Sequence, residues 1–315
     1  MDEHTDILII GGGMAGLSAA TGLAGAGQRI IVLDKGRGPG GRMAARRVEI
    51  AGEPVSFDHG AQYFTVRDPA FREAVAGWEQ AGAAAHWPAA GADAWVGTPG
   101  MNAPIRAMAE RLDVRWGLRA ERLSRDGGLW RVEAGERAFT AATVLVAVPA
   151  EQAAALLADA APHFAARAAS VTSAPCWAVM AAFAEPLAQL PDTFRSDTAP
   201  VSWAARNSAK PGRGGRETWV IHASPARSRE LVDRPREGAA EAVLADFFAA
   251  TGTPAAAPIH CDAHRWLYAL PEARQGEGPL FDPDLRIGIA GDWLQSPRVE
   301  GAWVSGRALA AAVLR

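Results

Sequence analysis

The chain opens on a run of apolar, largely β-branched residues, Ile7-Leu8-Ile9-Ile10, stopped abruptly by Gly11-Gly12-Gly13. An unbroken apolar run of this kind predicts a parallel strand buried on both faces. Residues 14–26 are mostly Ala, Leu, Ser, Thr and Gly, with Leu17 and Leu23 among small neighbours. That predicts a helix able to lie close to a sheet. Ile30-Ile31-Val32-Leu33 supplies a second strand, so the chain begins with a βαβ unit.

The Gly- and Pro-rich segment 36–41 predicts a loop. Residues 69–80 and 101–112 read as helices, and 114–116, 121–124 and 129–133 as short strands around the Asp126-Gly127-Gly128 turn. Residues 143–148 form a second buried-type strand ended by Pro149. Farther on, strand-like 176–183 and 219–223 alternate with helical 237–250, while 206–216, rich in Arg, Gly and Pro, reads as an exposed loop. A strand at 285–290 and an alanine-rich helix at 301–314 share the character of the opening block, which predicts that the chain end returns to complete the first domain.

Composition narrows the class. With 315 residues, 49% hydrophobic and 21% charged, the chain is a folded soluble protein of one large or two interleaved domains, not a disordered or fibrous one. A net charge of −3 argues against nucleic acid as a partner. Cys176 and Cys261 are far apart and form no C-x-x-C pair, so neither a disulfide scaffold nor a cysteine-based metal site is expected. Asp2, Glu3 and Asp6 replace the basic start of a leader, and the most apolar long stretch, 141–161, is broken by Pro149, Glu151 and Gln152. The expectation is a cytoplasmic protein with no membrane contact.

Gly11-x-Gly13-x-x-Gly16 falls between strand and helix, where the first glycine permits a tight turn, the second lets backbone N–H groups approach a pyrophosphate, and the third allows close helix–strand packing. Asp34 ends the second strand, where a carboxylate accepts from the hydroxyls of an adenosine ribose and repels a 2′-phosphate. The bland alternative is a glycine turn that merely packs a helix. This opening unit leaves NAD and FAD both open.

Gly40-Gly41-Arg42-Met43, Phe57-Asp58-His59-Gly60-Ala61-Gln62-Tyr63-Phe64, His264-Arg265-Trp266-Leu267-Tyr268 and Ile289-Ala290-Gly291-Asp292-Trp293, followed by Val299-Glu300-Gly301-Ala302, carry a resemblance. With them the sequence resembles FAD-binding proteins of the glutathione-reductase and amine-oxidase type and, more closely, a renalase-like FAD-dependent oxidoreductase. The resemblance implies an α/β fold with a Rossmann-type FAD-binding domain, residues 1–150 and 285–315, with room for a substrate-domain insertion around 65–110. A second α+β substrate domain of mixed sheet plus helices would span 151–284. It also implies that FAD is held by Gly11, Gly13, Met14, Ala15, Gly16, Asp34, Lys35, Gly41, Arg42, Met43, Gly60, Ala61, Gln62, Gly291, Asp292, Gly301 and Ala302. Ala120 would stand where backbone meets adenine, a position usually held by Val. For Asp292 the plain alternative is a helix cap or turn acid.

Flavin amine oxidases commonly place a lysine near the flavin N5. The two lysines here are Lys35, beside Asp34, and Lys210, inside the 206–216 loop. Unless Lys210 folds inward, that lysine is missing, which favours the renalase-like reading. The resemblance then implies oxidation of 2- or 6-dihydro isomers of NAD(P)H by hydride transfer to flavin N5, with O2 reoxidising the flavin to give H2O2. A substrate pocket of flat rings and few orienting groups would suit this reaction, and Gln62, Tyr63, Phe64, His264, Trp266, Tyr268 and Trp293 are the candidates. Each single aromatic has an ordinary core reading as well. A flavin amine or carotenoid-type oxidase and a non-catalytic flavin-binding sensor remain the alternatives.

Overall fold

The computed structural model describes residues 2–187, 189–272, 276 and 278–315. At its centre lies the strand Glu3–Ile10, paired in parallel with Ile30–Asp34 on one side and Arg137–Val146 on the other. Ile7 and Ile9 point into one core and Leu8 and Ile10 into the opposite one, so both faces of the strand are covered as its apolar run demands. The sheet continues outward through Asp113–Trp116 at one edge and through Ile287–Ile289 and Leu280–Asp282 at the other.

Arg137–Val146 begins earlier than the expected strand and serves two partners. Its first half pairs antiparallel with Leu129–Ala134, and its last residues pair in parallel with Ile287–Ile289. The polar Arg137, Thr140 and Thr143 interrupt its apolar pattern and hide the first half from a reading by hydrophobic runs.

The helix Met14–Gly25 packs against the C-terminal helix Val299–Val313. Their contact is backbone to backbone: a Cβ added at Gly306 would stand 2.0 Å from the carbonyl oxygen of Ala15. The Ser18 hydroxyl donates to the Trp303 carbonyl at 2.7 Å across the same crossing. The last residues of the chain are thus locked onto the first helix.

A separate five-stranded antiparallel sheet runs in the order Thr193–Arg195, Val201–Arg206, Glu217–Ala223, Ser173–Phe183, His260–Pro271. The helix Arg236–Thr251 covers one of its faces, where Trp177, Val179, Trp219 and Ile221 pack with Val243 and Phe247. Strand alternation turns Ala178, Met180, Val220 and His222 to the other face. Among the described residues no helix is long and apolar enough to cross a membrane.

Replacing Gly306 by Ala is expected to destabilise the protein by about 1–3 kcal/mol, because the helix pair must separate to admit the methyl group. The control Gly238→Ala, in a helix where an added Cβ meets nothing within 4 Å, should instead be neutral or stabilising by about 0.5–1 kcal/mol. Urea midpoints of the two variants check the contrast.

Candidate functional site

The glycine turn after the first strand has the geometry that its spacing predicts. A Cβ at Gly16 would lie 1.8 Å from the Gly11 carbonyl oxygen, so the helix approaches the turn as closely as backbone allows. Gly13 is open, with no atom within 4 Å of an added Cβ, and the helix N-terminus behind it has no side-chain cap. Its amides are left for an anion. Asp34 accepts from the Gly12 amide at 2.7 Å and the Gly36 amide at 2.6 Å, which fixes both carboxylate oxygens while leaving each a second lone pair.

From this turn a cavity of about 2100 Å³ runs along the sheet edge and under the five-stranded sheet. A single small ligand typically fills roughly 300–1,000 Å³, so this space holds a large cofactor and a substrate together. Gly11, Gly13, Met14, Ala15, Asp34, Lys35, Gly41, Arg42, Met43, Gly60, Ala61, Ala120, Gly291, Asp292 and Ala302 line it. Near the middle, Arg42 and Asp292 form an ion pair at 2.6 Å.

The far end is built by strand register. Arg195 pairs with Trp203, Trp203 with His222, His222 with Ala178, and Ala178 with His264. Directly opposed residues share a face, so one row of side chains crosses all five strands. Four steps of about 4.8 Å give it a length of roughly 19 Å. The small Ala178 leaves a gap between two imidazoles, and Tyr63 lies across Trp203 with ring centroids 5.2 Å apart. His59 stacks on Trp266 at 5.2 Å and meets His264 edge-on at 4.9 Å.

These imidazoles are neutral at pH 7. Burial, followed by the nearby His264 and Arg46, pushes His59 down to about 3. Burial, then the Lys210 charge, pushes His222 down to about 4. His264 is also lowered, by burial and then by Arg46. The Arg46 guanidinium can only donate, and it lies 3.4 Å from His264 Nδ1, so that nitrogen accepts and the ring proton sits on Nε2.

The 206–216 segment is an exposed loop only in part: Gly212, Gly214 and Gly215 are exposed, while Asn207 and Lys210 are buried. Lys210 is buried, with its ammonium 3.3 Å from Asp58 and donating to Gln62 Oε1 at 3.0 Å, 5.4 Å from the centre of the Trp87 ring. Arg213 also pairs with Asp58. Burial alone would raise the Asp58 pKa, but Lys210 and Arg213 more than offset it and hold the carboxyl below its ordinary value. Burial lowers Lys210 to about 8, with Asp58 pulling in the opposite direction. Glycine and proline content had pointed outward, yet one carboxylate draws two cations in. Lys210 therefore folds inward, contrary to the expectation of an exposed position.

Other expected positions divide. Tyr63, Phe64, His264, Trp266 and Tyr268 line the cavity. Trp293 does not: it is buried in the core beside the main sheet and its indole donates to the Val148 carbonyl at 3.1 Å. Gln62 lies behind the wall, its amide donating to the carbonyls of Asp58 and Gly60. Gly16 is spent on the helix–turn contact, and Gly301 on packing against Ser296, whose carbonyl would be 2.2 Å from an added Cβ. Arg195, Trp203, His222, Arg46 and Asp58 were missed. For His222 the alternation within 219–223 held a usable signal, since Trp219, Ile221 and Ala223 take the covered face and leave it on the other.

A strand–turn–helix turn with free amides, joined to a cavity of this size, fits a dinucleotide cofactor. The chain belongs to the flavin containing amine oxidoreductase family, whose sequence model matches residues 88–314, preceded by a match to the NAD(P)-binding Rossmann-like domain over residues 9–77. It is a flavin-dependent enzyme, and its cofactor is FAD. Residues of the chain are 45% identical over 67 positions to the hydroxyneurosporene desaturase of Rhodobacter capsulatus, a match covering 21% of this chain and 13% of that protein. The fold is similar to that of the protein named Putative protoporphyrinogen oxidase from Exiguobacterium sp. 255-15, with TM-score 0.73, 15% identity and 99% of both chains covered. It is also similar to cyclohexylamine oxidase from Brevibacterium oxydans, with TM-score 0.67, 13% identity and 98% of both chains covered.

Two outcomes test this electrostatic picture. Asp58→Asn leaves two buried cations without their counter-ion and should cost on the order of 3–5 kcal/mol, whereas Lys210→Met leaves Asp58 paired with Arg213 and should cost much less, as urea midpoints will show. His59 and His222 have folded-state pKa values of about 3 and about 4, below the unfolded value near 6.5. The unfolded chain therefore binds more protons between those limits, so stability is full above about pH 6.5 and falls as pH drops towards 4. Tm measured from pH 7 to 4 should decline in the wild type and decline less in His222→Gln.

Proposed function

We propose that this protein is an FAD-dependent oxidase of a planar small molecule, with a dihydronicotinamide nucleotide in its 2- or 6-dihydro form as the substrate class and O2 as the acceptor, giving NAD(P)+ and H2O2. The observation that carries the reading is the pair of neutral imidazoles of the cross-strand row, His222 and His264, facing the cavity together with the rings of Tyr63, Phe64 and Trp266. Flat walls hold a flat ring, and aromatic pyridinium formation drives the oxidation without a proton being taken from carbon, so neutral histidines suffice.

Several features of the chain fit FAD. The open amides at Gly13, Met14 and Ala15, with Gly41 and Arg42 opposite, suit a pyrophosphate. Asp34 has lone pairs directed for the adenosine ribose, with Lys35 beside it and Ala120 at the adenine end. Asp292, aligned by Arg42, suits the ribityl chain, while Met43, Gly60, Ala61, Gly291 and Ala302 border the ring position. Gly16, Gln62 and Gly301 act by supporting these segments from behind. FAD bound there supplies a two-electron acceptor. The same reading gives residues 1–150 and 285–315 to the cofactor and 151–284 to the substrate.

Amine oxidation is the second reading, favoured by one observation: Lys210 is turned inward and bonded to Gln62, next to Gly60 and Ala61. Against it, the Lys210 ammonium is already held by Asp58 and Gln62. Anaerobic titration of the yellow holoenzyme separates the readings. Bleaching by 2- or 6-dihydro-NAD(P) but not by primary amines, with a rate in Lys210→Met within about threefold of wild type, is expected. Bleaching by amines that is lost in Lys210→Met would establish the second reading instead.

A further inference from the structure

The row of side chains under the five-stranded sheet ends on Arg195, and that end carries donors without an acceptor. Arg195 is exposed at the cavity wall, on the short strand Thr193–Arg195. Its guanidinium lies 5.1 Å from the Trp203 ring centre and 5.9 Å from that of Tyr63, and it donates to the Tyr63 hydroxyl oxygen. Two aromatic faces and one hydrogen bond hold the charge in place. Tyr63 accepts there, so its own O–H is free to donate elsewhere. The buried indole N–H of Trp203 has no acceptor among the described residues, and Arg195 has no carboxylate partner among them.

Two guanidiniums and one carboxylate line this end. Arg67 also lines the cavity without a carboxylate partner among the described residues, and Asp93 is the acid that lines this end. His222, next in the row after Trp203, adds no negative charge. A guanidinium and a phenol O–H at the cavity wall, backed by the buried Trp203 ring, match a ligand that carries acceptor oxygens and negative charge. They repel an ammonium group.

We infer that Arg195, positioned by Tyr63 and Trp203, is a specificity-determining residue that binds an anionic group, carboxylate or phosphate, on the substrate, so that this oxidoreductase takes anionic ring compounds in preference to cationic amines. The inference rests on the reading of this cavity end as the substrate site.

The test titrates FAD-loaded protein with benzoate, phenyl phosphate, benzamide and benzylamine, four probes that share a ring and differ in charge, followed by tryptophan fluorescence and by the flavin absorbance band. The expected result is that benzoate or phenyl phosphate binds about tenfold or more tightly than benzamide, with benzylamine weakest. The better of the two anions identifies the recognised group. Arg195→Gln should bring the anion down to the benzamide level while leaving benzamide itself unchanged, and Arg195→Lys should recover part of the loss, because an ammonium restores the charge but not the planar fork. Equal affinities for the anions and benzamide, no binding by any probe, tightest binding by benzylamine, or an anion affinity unaltered in Arg195→Gln would each overturn the inference. Protein that takes up no FAD yet binds anions through Arg195, as read by fluorescence alone, would overturn the flavin assignment and leave this inference standing.

Discussion

Register is the constraint on which the site depends. In an antiparallel sheet, residues that face one another across a strand pair must lie on the same side, so the alignment that sets Ala178 between His222 and His264 also decides what the cavity contains. Covering the opposite side with the Arg236–Thr251 helix fixes that alignment: a slip of one residue would expose Trp177, Val179, Trp219 and Ile221 and bury His222 among them. The hydrophobic core of this sheet thereby sets the chemistry of its other face.

Charge burial supplies the second constraint, and it joins parts of the chain that the sheets leave separate. Asp58 accepts from the Met101 amide at 2.9 Å and pairs with Lys210 and Arg213, while Asn207 donates to the Ser56 carbonyl at 2.8 Å. The segment before Gly60 is in this way fastened to the turn after Val201–Arg206. An isolated charge in such a place is prohibitively costly, so the three groups must enter together. A segment rich in arginine and glycine becomes an inner wall because a carboxylate waits for it.

Much of this was legible in the sequence wherever local pattern and final environment agree. The apolar run Ile7–Ile10, the glycine turn, Asp34 and the helix Pro69–Gln80 follow from runs and spacing that act over a few residues. His264 and Trp266 were legible by alternation along one strand. What escaped is non-local. Arg195 lies on a strand of three residues, too short for any period to declare itself. The inward turn of Lys210 escapes local pattern because glycine and proline report on backbone freedom and say nothing of a carboxylate some 150 positions earlier, Asp58. Trp293 was placed in the pocket for being next to Asp292, although the two side chains part: one reaches Arg42, the other the Val148 carbonyl.

Placement of charge then bears on how the two substrate readings compare. An amine oxidase must admit a cation or strip it of its proton, and a lysine suited to assist would need a free lone pair or a water to hold. Here the inward lysine spends its hydrogen bonds on Asp58 and Gln62, and a protonated amine at that end of the cavity would face the Arg195 guanidinium, which has no carboxylate partner among the described residues. A dihydropyridine bearing phosphate makes the opposite demands: an uncharged, flat-walled floor for the ring and a fixed cation for its anion. Neutral imidazoles at His222 and His264, with the guanidinium two strand spacings beyond His222, satisfy both without moving a proton. The inward lysine thus removes one reason for setting amines aside, while the arginine at the end of the row supplies another.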